Sequence, residues 1–120
     1  MMALVRVGAV FAFLAVALGA FGAHALRSRL GEDKLKIYQT GVLYHLVHAV
    51  AAVALGMLTA IRPHLHLVAD GGWCLLLGVV LFSGSLYLMA ADRLRGRWGM
   101  VTPLGGLFLL AGWILVALGA

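Results

Sequence analysis

The charged residues of this chain are spaced as few soluble folds would tolerate. Arg6 and Arg27 enclose 20 residues without Asp, Glu, Lys or Arg; Lys36 and Arg62 enclose 25, Asp70 and Asp92 enclose 21, and 23 more follow Arg97. Each run reaches the roughly 20 residues with which a helix crosses a hydrocarbon layer about 30 Å thick. Charged residues make up 11% of the 120 positions, against about 25% in an average soluble domain. A membrane barrel is excluded, because its strands alternate lipid-facing and lumen-facing residues, whereas the runs Val10–Leu18 and Cys74–Phe82 do not alternate. The expected fold is all-α, an integral membrane antiparallel four-helix bundle. It forms one domain over residues 1–120, with helices at about 5–26, 35–60, 72–91 and 103–118. Thr102-Pro103 fits the start of the last helix, with threonine as the cap and proline at the first helical position.

The net charge of +5 has meaning only through its positions. Seven of the nine basic residues fall in two short segments, Arg27, Arg29, Lys34 and Lys36, then Arg93, Arg95 and Arg97. Short basic loops beside membrane spans are what the positive-inside rule describes. They assign loops 1 and 3 to the cytoplasm and both termini to the outside, with Trp98 and Tyr38 at the inner interface and Trp73 at the outer one. No soluble basic face remains to bind nucleic acid. The single cysteine, Cys74, excludes an internal disulfide. Arg6, the apolar run and Ala23-His24-Ala25 together look like a cleavable leader. The length of the run, and Arg27 and Arg29 directly behind it, favour a retained first helix.

Lipid offers no hydrophobic drive for helix association, so small residues mark close packing. Gly105, Gly112 and Gly119 recur every seven residues in helix 4, and Gly8, Ala12, Ala15, Gly19 and Ala23 line one side of helix 1; Gly22 of helix 1 and Gly41 of helix 2 are read as packing positions too. The polar side chains concentrate at one end. Measured from Tyr38 at about 1.5 Å per residue, His45 lies about 10 Å deep and His48 about 15 Å deep, and Ser85 lies about 10 Å from Asp92. His24, Tyr44, Tyr87 and Thr102 belong to the same half. Tyr38, Gly41, His45, His48 and Ala52 fall within one arc of about 80° on helix 2, so the histidines face another helix and not lipid. The candidate polar cluster is therefore His24, Tyr44, His45, His48, Ser85, Tyr87 and Thr102.

Several stretches also resemble a known family. Gly19-Ala-Phe-Gly-Ala-His24-Ala-Leu26, Tyr38-Gln-Thr-Gly41-Val-Leu-Tyr44-His45-Leu-Val-His48-Ala49, Phe82-Ser-Gly-Ser85-Leu-Tyr87 and Thr102-Pro-Leu-Gly-Gly106 through Gly112-Trp113 stand in order along the chain. Together they are similar to the domain-of-unknown-function 423 family, small uncharacterised membrane proteins that include transmembrane protein 256 of animals. Val47 stands where the family commonly has an aromatic residue. The resemblance implies a four-helix protein of a bacterial inner (plasma) membrane and no established activity.

Four functions compete on these residues. The preferred one is non-enzymatic: an accessory subunit or helix-packing partner whose partners are the bilayer and other membrane subunits or a second copy. The second is a quinone-, haem- or metal-binding site on the His/Tyr/Ser cluster, with His45 and His48, at i and i+3, as weak metal candidates. His24 lies about 10 Å shallower than His48, which works against a three-histidine centre. No cofactor is required by the sequence. The third is a small oligomeric transporter or channel, against which every carboxylate (Glu32, Asp33, Asp70 and Asp92) lies at an interface. The fourth pairs Ser83 or Ser85 with a histidine as nucleophile and base, but no acid lies in the membrane to orient it. The His64-Leu65-His66 pair reads as solvated loop.

Overall fold

The computed structural model describes residues 2–94 and 96–120, and at positions 97 and 98 the backbone only. Arg95, and the side chains of Arg97 and Trp98 read above as topology anchors, lie outside the described residues. The described chain is all-α, with four helices long and apolar enough to cross a membrane. Helix α1 spans Ala3–Phe21 and runs on into a π turn at Gly22–Leu26; α2 spans Glu32–Ile61, α3 spans His66–Ala90, and α4 spans Val101–Gly119 behind a 3-10 turn at Gly96–Met100.

The ends of these helices follow local chemistry. Gly31 is extended, and Glu32 and Asp33 occupy the first turn of α2, where carboxylates suit the positive end of the helix dipole. At the end of α3, Asp92 takes a left-handed conformation (φ 58°). The Arg93 N–H then reaches back to the Leu88 carbonyl at 2.7 Å and the Asp92 N–H to Met89 at 3.1 Å, the paired bonds of a Schellman stop. Lys34 reinforces this stop by donating to the Met89 carbonyl at 3.1 Å and pairing with the Asp92 carboxylate.

Two local expectations are corrected. Helix α3 begins at His66, six residues before Gly72. A charge gap marks where hydrocarbon begins, whereas a helix begins where backbone bonding begins, and Asp70 sits exposed within its second turn. Helix α4 begins at Val101 with no side-chain cap. Thr102 lies inside the first turn and spends its hydroxyl on α3, and Pro103 is tolerated because first-turn N–H groups have no helical partner.

Packing follows chain order: α1 lies on α2, α2 on α3 and α3 on α4, with α1 touching α3 more lightly. The contact register runs in opposite senses on neighbouring helices. Gly8 meets Ala49 and Val53, Gly19 meets Val42 and Gly22 meets Tyr38; Gly71 meets Gly112, Gly78 meets Leu109 and Gly105 meets Phe82. The result is a flattened body of 47 × 30 × 17 Å, with α1 and α4 at its two edges.

The core at one end is apolar, built from Leu4, Ala52, Leu55, Val68, Leu75, Leu76, Val79 and Leu109. Large apolar side chains face outward on all four helices, among them Phe13 and Val16 of α1, Val50 and Met57 of α2, Val80 of α3, and Leu107, Leu110 and Leu118 of α4. A water-soluble monomer rarely leaves so much contiguous apolar surface uncovered; a bilayer covers it.

Candidate functional site

At the other end of the molecule His45, His48, Ser83 and Ser85 are buried and hydrogen-bonded. Helix α2 supplies the axis: Tyr38, Gly41, His45, His48 and Ala52 are all buried along it. His45 Nδ1 lies 2.8 Å from the Tyr87 hydroxyl of α3, and Phe11 of α1 meets the same ring edge-on at 6.1 Å. Tyr87 can lie there because Gly41 has no side chain; a Cβ at that position would stand 2.9 Å from the tyrosine ring.

His48, one turn further along, turns to the other neighbour. Its Nδ1 lies 2.8 Å from the Tyr44 carbonyl, and the Trp113 indole N–H of α4 donates to its Nε2 at 3.0 Å. A carbonyl only accepts and an indole only donates. His48 therefore carries its proton on Nδ1 and offers the Nε2 lone pair to Trp113, so both ring nitrogens are used. The Tyr44 ring stacks on His48 at 5.9 Å, with 7° between the planes.

Three further bonds extend the seam. Fully buried Ser83 donates to the Gly41 carbonyl at 2.7 Å, joining α3 to α2. Ser85 donates to the Phe82 carbonyl at 2.8 Å, which leaves its oxygen to accept from the Thr102 hydroxyl of α4. Tyr38 donates to the Leu18 carbonyl of α1. Its ring lies over Gly22, where a Cβ would approach to 2.4 Å, at the point where α1 widens into its π turn; such widening is typical where a side chain inserts beside the backbone ladder.

The seven cluster residues thus separate into groups. His45 joins Tyr87, His48 joins Tyr44, and Ser85 joins Thr102. His24 is exposed in the π turn and stands apart from all of them. Among the described residues no three His, Cys, Asp or Glu side chains gather as a metal-ligand set. A metal or haem on His48 would have to displace the Trp113 bond. The serine hydroxyls bond to backbone carbonyls and a threonine, an arrangement that activates neither as a nucleophile. His64 and His66 share one contact, His66 Nδ1 to the His64 carbonyl at 3.2 Å, at an exposed turn.

His45 and His48 each line a cleft. Between α2 and α4, over α3, lies one of about 450 Å³ lined by Tyr44, His48, Phe82, Pro103, Gly106 and Trp113. On the other face one of about 210 Å³ is lined by Phe11, Leu14, His45, Val79, Ser83 and Tyr87. Their walls are largely apolar, and among the described residues no buried side-chain nitrogen or oxygen lacks a hydrogen-bond partner. Chemically the arrangement fastens helices together: its buried donors and acceptors are paired with protein groups, most of them on another helix.

Sequence reasoning did not bring Trp113, Ser83 and Tyr38 into this set. Depth would have found the tryptophan. Measured from Thr102, which the sequence places in the same half as Tyr38, Trp113 lies about 16 Å deep, against about 15 Å for His48 measured from Tyr38.

The comparisons with known proteins agree over nearly the whole chain. A family model described as "Protein of unknown function (DUF423)" matches residues 18–106. The membrane protein YwdK of Bacillus subtilis is 39% identical over 94% of this chain and 91% of its own length. The inner membrane protein YgdD of Escherichia coli K12 is 43% identical over 93% of this chain and 84% of its own. A Staphylococcus haemolyticus membrane protein, SH2409, is 38% identical over 91% and 87%. No solved structure matches.

Proposed function

This chain belongs to the DUF423 family of membrane proteins, and from that premise we propose that it works by association, as a non-enzymatic accessory subunit or helix-packing partner in a membrane assembly. One observation carries the proposal. Among the described residues the buried polar side chains of the seam are all hydrogen-bonded within the molecule, while apolar side chains face outward on all four helices, the edge helices α1 and α4 included. A protein whose interior is spent on its own fastening has its outer surface left for partners.

The chain is a multi-pass protein of the inner membrane, the location in the name of its Escherichia coli relative. We read the bundle as antiparallel, in keeping with the opposed contact registers, with both termini outside the cytoplasm. The seven basic residues of loops 1 and 3, against Arg6 and Arg62 on the other side, support that orientation.

Extraction in a mild detergent followed by native mass measurement tests the association. The expected species is heavier than one 12.7 kDa chain with its lipids, either a homo-oligomer or a complex with other subunits. A clean monomer that restores the cellular role of a deletion strain when reconstituted alone would defeat the proposal. An absorption spectrum and quinone analysis of the same preparation separates it from a redox site. Haem bands or stoichiometric quinone would favour that alternative.

A further inference from the structure

The basic end of the molecule carries a feature that membrane orientation does not need. Beneath it lies an apolar pocket of about 210 Å³ lined by Phe21, Leu26, Leu30, Tyr38, Tyr87 and Ala91. Its walls come from the π turn of α1, from loop 1, from α2 and from the end of α3. Three of those residues sit beside exposed arginines: Leu26 precedes Arg27, Leu30 follows Arg29, and Ala91 lies two positions before Arg93. Among the described residues these three guanidinium groups make no ion pair; the salt bridge at this end is Lys34 with Asp92. That bridge consumes Lys34, which also caps the Met89 carbonyl, and so holds the ends of α2 and α3 together at the pocket. Glu32 and Asp33 are the competing carboxylates here. With Asp92 they make three acidic residues against seven basic ones, so the field at this end is positive.

We propose that this end binds an anionic phospholipid, with part of an acyl chain in the pocket and the headgroup phosphate among Arg27, Arg29 and Arg93. Guanidinium groups match phosphate in charge and in forked geometry, and basic pockets between helix ends recognise anionic headgroups. Orientation alone needs only basic loops. It does not need a greasy cavity whose lining residues flank the arginines in sequence. The inference is independent of the association proposed above, since a monomer binds lipid as readily as a complex does.

The test is native mass spectrometry of the full chain in detergent with equal amounts of phosphatidylglycerol and phosphatidylcholine of matched chains. Phosphatidylglycerol should be retained about tenfold over phosphatidylcholine. The variant R27Q/R29Q/R93Q, altered only at exposed positions, should lose that preference. R6Q/R62Q, altered at the other end, should keep it. Ala91→Phe fills the pocket without changing any charge and should also lose it, with helix content checked by circular dichroism. Four results would overturn the proposal: equal binding of the two lipids, a preference that survives in R27Q/R29Q/R93Q, a preference untouched by a folded Ala91→Phe, or displacement of the lipid by millimolar inorganic phosphate, which would mark a site for free anions.

Discussion

His48 uses both of its ring nitrogens inside the protein, one on its own helix at Tyr44 and one on Trp113 of α4. A histidine held in this way reports on helix register. Removing the indole N–H with Trp113→Phe leaves Nε2 unpaired, and removing the ring with His48→Leu leaves the indole unpaired. A double-mutant cycle on the two, read by unfolding in mixed micelles, should give a coupling of about 0.6 kcal/mol and at most about 1.7. Ser83→Ala should cost about 1 kcal/mol by the same assay, because it deletes a fully buried donor to the Gly41 carbonyl. The sequence allowed His45 and His48 to be placed on the inner face of helix 2, since periodicity and the cost of lipid exposure both act locally. It did not reveal Trp113 as a partner, because a membrane tryptophan reads by default as an interface anchor, and pairing depends on a helix 65 residues away. His24 was grouped by depth alone, and depth says nothing of which side of a helix a residue takes.

Between elements, the closest approach is α3 against α4. A Cβ added at Gly105 would stand 2.3 Å from the backbone nitrogen of Phe82, whereas one at Gly106 would meet only the edge of the Phe82 ring, at 3.9 Å. Gly105→Ala should therefore destabilise the protein by about 1–3 kcal/mol, since the obstacle is backbone and cannot turn aside. Gly106→Ala should change stability by no more than about 0.5 kcal/mol. Thermal unfolding in detergent measures both, and adjacent residues make each the control for the other. The seven-residue recurrence of Gly105, Gly112 and Gly119 was visible in the sequence, but not which helix it meets. The four spans were legible from charge spacing. Where α3 begins was not, because exposed residues such as His66 and Asp70 can continue a helix beyond the hydrocarbon.

For the molecule as a whole, the proposed orientation puts loop 2 outside. Cys74 lies nine residues into α3, and its thiol donates to the Phe108 carbonyl, so it is a poor probe. His64→Cys in a Cys74→Ala background places the thiol in the exposed turn instead. A reagent that cannot cross membranes should label it in intact cells; labelling only after the cytoplasm is opened would reverse the orientation. The order of packing has a further consequence. Since each helix, of those that precede it, lies chiefly on the one directly before it in the chain, a helix leaving the insertion machinery finds its docking surface already in the bilayer. Such assembly needs no search among distant segments, the situation in which folding is fastest. The bond from Trp113 to His48 spans from the fourth helix to the second. It closes only once the fourth helix has docked, and so acts as the latch on a sequence of docking events.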